Sequence, residues 1–233
     1  MGTIRKGFGS VVGKLSDQNY AKSLAFCRFW LETGQTYIQV PSDPIFDAIW
    51  DNRVAASINP EEGEIFHSSA HLLSRFASDV ESDPILAPYS PDLQSRLCAR
   101  SLQEFATNNL IMATHWCEHS TTVAFYADVN LIAHWVNLGY VEEAAIRNYI
   151  LQSLLSHPVV YHHQMLALVI LFKLAGATFE AYTDSSVVDR CFELLGTHSS
   201  SYDTGRRDKR YVELTRRVKV RTPCAARASV RLK

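Results

Sequence analysis

The chain has 233 residues, 47% of them hydrophobic, with five cysteines and a formal net charge of −1. That length and apolar content suit one sizeable core, so a single domain with tails is expected rather than two domains. The cysteines (Cys27, Cys98, Cys117, Cys191, Cys224) are odd in number and widely spread with no Cys-x-x-Cys pair, which argues against a disulfide framework or zinc ribbon and fits reduced thiols inside a cell.

Residues 1–15 hold four glycines (Gly2, Gly7, Gly9, Gly13) and little periodicity, and read as a flexible arm. The opening Met1-Gly2-Thr3-Ile4-Arg5-Lys6 lacks the apolar run of a signal peptide, and Lys6 stands where N-myristoylation needs Ser or Thr. Gly7-Phe8-Gly9-Ser10-Val11-Val12-Gly13-Lys14 has the glycine content of a phosphate cradle, but Phe8 and Leu15 occupy positions where a Walker loop ending at Lys14 requires Gly and Ser or Thr. It also resembles part of a protein-kinase glycine loop, with no matching catalytic-loop sequence downstream.

From about residue 16 to residue 196 the chain carries dense helix punctuation, with caps and prolines at starts and glycines at stops. Ser16 or Asp17 can cap a helix presenting Leu24, Cys27, Trp30 and Leu31 and ending at Gly34. Asp43-Pro44 opens a second, with Ile45, Phe46, Ile49, Trp50 and Val54 on its apolar stripe. Asn59-Pro60-Glu61-Glu62 is the strongest start signal, because Asn59 can accept from an early helical amide while Glu62 reaches back to the Asn59 amide. Ser90-Pro91-Asp92 starts a fourth helix, and Asn108-Asn109 precedes another stretch from Leu110 to about His119. Further helices are expected to stop at Gly139 and Pro158. Residues 160–175 are apolar on every side through Met165–Phe172, the mark of an enclosed helix, and that eight-residue run falls far short of the roughly 20 needed to span a membrane. A last helix runs from Asp184 to Gly196.

The expected fold is all-α: antiparallel helical hairpins over residues 16–196, as an armadillo/HEAT-like array or an irregular bundle. Ser42-Asp43-Pro44-Ile45 recurs as Ser82-Asp83-Pro84-Ile85 at an offset of 40, and in element length and rhythm the segment resembles armadillo-type arrays. Residues 197–233 form a Ser-rich linker and a basic tail, expected to be largely disordered or partly helical. Residues 205–233 hold 11 Lys and Arg against Asp208 and Glu213, a net of +9, so residues 1–204 carry −10.

His115-Trp116-Cys117-Glu118-His119 fits the H-x-x-E-H pattern of inverted zinc peptidases, in which two histidines hold zinc and the glutamate activates water, with Glu193 a conceivable third ligand. Those peptidases resemble large α/β domains, and two partly buried histidines on a helix surface is the simpler reading. His67 and His71 share an i, i+4 spacing, and His162-His163 precede the enclosed helix; each reads first as a core or rim histidine. Asp43, Asp47 and Asp51 recur every four residues along one helix face, a solvated face or a row able to receive a basic peptide. Trp30, Trp50, Trp116 and Trp135 fall within apolar stripes and read as core. Arg206, Arg207, Lys209, Arg210, Arg216, Arg217, Lys219 and Arg221 suit an import signal or a phosphate-binding arm.

The reading favoured is a non-catalytic helical scaffold that binds another protein, in the cytoplasm, or in the nucleus if the basic clusters engage an import receptor or polyanion. No cofactor or metal is assigned. A metal-dependent hydrolase built on His115, Glu118 and His119, and a nucleic-acid-associated protein acting through the tail, are the alternatives.

Overall fold

The computed structural model describes residues 2–34, 43–57, 70–114, 119–155 and 162–182, together with residues 186, 189–191 and 193. Among them every regular element is helical and none is a strand, as the spacing of caps and apolar residues predicts. The chain groups into two compact units, Met1–Val141 and Glu142–Lys233. No helix among the described residues is long and apolar enough to cross a membrane.

The first unit begins with α1 (Gly2–Val12), where a flexible arm was expected. Phe8 and Val12 are each 2% exposed, one turn apart on a face laid against α3 (Pro44–Ser57). Packing of this face on α3 offsets the low helix propensity of its glycines, and Gly13, just past the end of α1, has a steric role. A methyl on Gly13 would sit far too close to Asn52 Oδ1 and 3.0 Å from the Gly9 carbonyl oxygen, so the Asn52 side chain lies against this turn only because Gly13 has no side chain. Asn52 fills the contact, its Nδ2 donating to Gly9 O at 3.2 Å and Ala48 O at 2.8 Å.

Helix α2 (Tyr20–Gly34) starts later than Ser16 or Asp17 would set it. Asn19 ties the preceding turn, accepting from the Ser16 amide at 2.9 Å and donating to Lys14 O at 2.6 Å. Cys27 and Leu31 are buried as expected, while Trp30 is half-buried. The Asn59–Glu62 start signal lies outside the described residues; α4 is described over Ala70–Ser82, with Leu72, Leu73, Phe76 and Val80 inward.

Helix α5 (Leu93–Thr114) runs through Asn108-Asn109 without a break. Both asparagines are buried, and Asn108 sends its amide across to Asp128 rather than capping a new helix. Helix α6 (His119–Asn137) packs on α3, α4 and α5 alike, and every residue from Phe125 to Ala133 is buried. Phe105 stacks on Phe125, and Cys98 lies against the Tyr140 carbonyl, so α5 and α6 run antiparallel. Two residues past the end of α6 stands Gly139, whose φ of +78° is the left-handed conformation that glycine adopts cheaply. The Tyr140 amide reaches back to Trp135 O and the Gly139 amide to Val136 O, while the Tyr140 ring meets the Trp135 ring edge-on.

The second unit contains α7 (Glu143–Ala145), a π-helical stretch (Ile146–Leu151), α8 (Gln152–Leu155) and α9 (His162–Tyr182). Residues 163–172 of α9 are buried apart from the half-buried Leu166, matching the enclosed helix predicted there. Gly176 does not stop α9: the helix bends at Ala175 (φ −129°, ψ 18°) and continues to Tyr182. The Asp184 start and Gly196 stop lie outside the described residues.

Candidate functional site

Polar chemistry in the first unit concentrates where α3, α5 and α6 meet. Asp43 heads α3, its Oδ1 accepting from the Ile45 and Phe46 amides at 3.1 and 2.9 Å, the bonds that satisfy orphan donors at a helix start. Its Oδ2 accepts from Ser90 Oγ and from Arg96 Nη1, the latter at 2.7 Å. The first member of the predicted carboxylate row is therefore a saturated helix cap. Asp47 is half-buried within the first turn and Asp51 exposed, and both take part in interactions of their own.

The repeated tetrapeptide has a local structural basis. Asp83 Oδ1 accepts from the Ile85 and Leu86 amides, and Oδ2 pairs with Arg28. Burial alone would raise the Asp83 carboxyl; the two amides and Arg28 together hold it below its ordinary value. Each Asp-Pro-Ile thus folds into the same amide-capped, arginine-braced turn, although the first opens α3 and the second leads only to a 3₁₀ turn at Ala87–Tyr89.

One turn further along α3, Phe46 and Trp50 stack with planes 10° apart, both buried. The Arg96 guanidinium lies 4.6 Å over the Phe46 ring, and those of Arg53 and Arg100 lie 3.8 and 4.4 Å over Trp50. Arg53 then pairs with Asp128 of α6, Nε to Oδ1 at 2.9 Å, while Asn108 Nδ2 approaches Asp128 Oδ2 at 3.4 Å. Asp128 is fully buried. Burial pushes its carboxyl up, Arg53 pulls it back, Glu104 opposes Arg53, and the net value is about 6. A carboxyl titrating near neutrality has the proton affinity of a general base. Here both oxygens are engaged by protein and shielded from solvent, so the group braces three helices.

The other reactive residue types are similarly placed. Burial pushes the thiols of Cys27 and Cys98 up to about 12 and about 11, which keeps them protonated and poorly nucleophilic. Tyr20 donates to Asp79 at 2.7 Å, and burial together with that carboxylate raises its hydroxyl well above the usual phenol range. A cleft of about 80 Å³, lined in part by Val12, Gly13, Asn52 and Leu73, is well below the roughly 300 Å³ at which small-molecule sites begin. Across the α4–α6 contact, His71 and His134 place their rings 6.2 Å apart, and burial, then the neighbouring His71, lowers His134 to about 4.

The sequence nominated His71 without its neighbour His134, and it missed Arg53 and Asp128. A lone carboxylate inside the apolar run Phe125-Tyr126-Ala127-Asp128-Val129 was the available signal for the last. His115 and Glu118 lie outside the described residues, as does the side chain of His119; His67 and all of Arg206, Arg207, Lys209, Arg210, Arg216, Arg217, Lys219 and Arg221 also lie outside them. Trp50 and Trp135 are core as expected. No protein-family model matches the chain, and no curated protein or solved structure matches it.

Proposed function

We propose that this chain is a non-catalytic helical scaffold that binds another protein through its first unit. The observation that carries the reading is how the charged groups of that unit are used. Asp43, Asp83 and Asp128 each sit in an arginine-braced structural arrangement, and the apolar groups left at the surface include Phe26 and Phe29, 39% and 60% exposed on α2. Aromatic side chains standing in water on a helix face supply contact area at low entropic cost when a partner covers them. The grouping of α3, α4 and α5 about α6 favours an irregular bundle over a regular array of stacked pairs.

The test is quantitative affinity capture from the native cell, comparing wild type with Phe29→Glu. Because Phe29 is largely exposed, the variant should keep the wild-type melting temperature while losing a stoichiometric partner. A variant that captures the same partner equally well removes α2 from the binding surface, and a wild-type chain that captures no stoichiometric partner overturns the scaffold reading.

A further inference from the structure

We propose that His134, facing His71 across the contact between α4 and α6, makes that contact an acid-labile latch, closed while the imidazole is neutral and released when it takes up a proton. The two helices pack directly on one another, and the two rings lie with centroids 6.2 Å apart and planes inclined at 53°. His134 stands half-buried in the last turn of α6, between the fully buried Ala133 and Trp135. Its partial exposure, at an edge marked by the exposed His71, lets a proton arrive without prior unfolding.

A cation formed at His134 loses hydration in the helix contact and meets a second imidazole rather than a carboxylate. Among the described residues, the charged groups of the packed helices are engaged elsewhere. On α4, Arg75 pairs with Asp79 and lies over the Tyr20 ring, Glu81 accepts from Gln94, and Asp83 pairs with Arg28. On α5, Arg96 and Arg100 lie over Phe46 and Trp50. Arg53 of α3 and Glu104 of α5 both act on Asp128, six positions and about 9 Å before His134 along α6. The carbonyl end of α6 favours a cation. Burial, then His71, outweighs it and holds the ring at about 4 against an ordinary 6.5. A folded value below the unfolded one gives stability that is fully present above about pH 6.5 and lost as pH falls toward 4.

The experiment unfolds the full chain in urea at about pH 7.5 and about pH 5, as wild type and as His134→Gln, and follows native-state hydrogen exchange of α4 and α5 at both. Relative to His134→Gln, the wild-type unfolding constant should rise roughly 30-fold on acidification, and residues 72–80 of α4 should lose protection ahead of α5. Asp128 moves both proteins alike and with the opposite sign, so it cancels in the comparison. Parallel pH profiles, or protection lost no earlier in α4 than in α5, overturn the latch. If His134→Gln does not fold, proton NMR of the wild type decides: a His134 ring still neutral at about pH 5.5 supports the latch, and one titrating near its ordinary 6.5 overturns it.

Discussion

Asp128 holds a negative charge in the middle of the most buried helix of the first unit, and Arg53 makes that tolerable. The pair spans 75 positions in sequence, with Asp128 fully buried and the Arg53 side chain 13% exposed. Removing one partner of such a pair leaves an uncompensated charge and costs about 3–5 kcal/mol. Arg53→Met, which keeps most of the side-chain volume over Trp50, is expected to lose that much at pH 7. The sign of its pH dependence follows from the carboxyl. Its folded value of about 6 exceeds the ordinary 3.8, so the folded state favours the protonated form. That contribution is fully present below about pH 4 and fades as pH rises through 6. Without Arg53 the carboxyl moves higher still, so the deficit should shrink as pH falls and Asp128 is neutralised. Denaturant unfolding of both proteins between pH 5 and 8 checks this; a deficit independent of pH would mean that Asp128 carries no charge in the fold. Asp43 and its twin Asp83 were legible as turn and helix starts because a cap acts within three residues of itself. Arg53 and Asp128 were not, because a partner 75 positions away leaves no local spacing to read.

At the scale of elements, α1 shows how composition can point the wrong way. Four glycines within residues 1–15 suggested a flexible arm, since each costs about 0.5–1 kcal/mol in a helix relative to alanine. The cost is offset where the missing side chain lets α1 settle onto α3, and only contact tells which glycine serves that purpose. A methyl on Gly9 would meet nothing nearer than Asn52 Nδ2 at 3.9 Å, whereas one on Gly13 collides with Asn52 Oδ1. Gly9→Ala is therefore expected to stabilise the first unit by about 0.5–1 kcal/mol. Gly13→Ala should destabilise it by about 1–3 kcal/mol, because Asn52 must swing out of its bonds to Gly9 and Ala48. Equal effects of the two substitutions, measured by chemical unfolding, would show that α1 does not rest on α3 through Gly13. The second unit gives a related lesson. Apolar spacing before Pro158 places Ile146, Tyr149, Ile150, Leu154 and Leu155 on one α-helical stripe, yet Tyr149 is 43% exposed and Leu151 is buried. Residues 146–151 are wound as a π-helix, whose wider turn carries the inward face from position 149 on to 151. Apolar spacing located the helix correctly but could not register a change of pitch inside it.

The whole molecule is defined electrically by a split that its net charge of −1 conceals: −10 over residues 1–204 and +9 over residues 205–233. If the basic segment were held by the chain's own acidic groups, the row of Asp43, Asp47 and Asp51 would be its natural seat. That seat is partly taken. Both Asp43 oxygens are occupied by the α3 amides, Ser90 and Arg96, and Asp47 and Asp51 have interactions of their own. An outward role is then the better expectation, with the basic clusters engaging an anionic partner such as a polyanion or an acidic import receptor. Eleven cations against two anions in 29 residues should bind heparin with a steep salt dependence, because each neutralised anionic group releases condensed counterions and surface attraction is screened within about 10 Å at 0.1 M salt. Truncation after Gly196 separates the two cases. An outward-facing segment predicts that heparin affinity collapses while melting of the first unit, followed through Trp50 and Trp135, is unchanged at low and high salt. A segment docked on the acidic body predicts a lower melting temperature on truncation, visible at low salt and suppressed at high salt. Heparin binding that survives truncation would place the polyanion site on the body, against its net charge of −10, and would leave the basic clusters without a role.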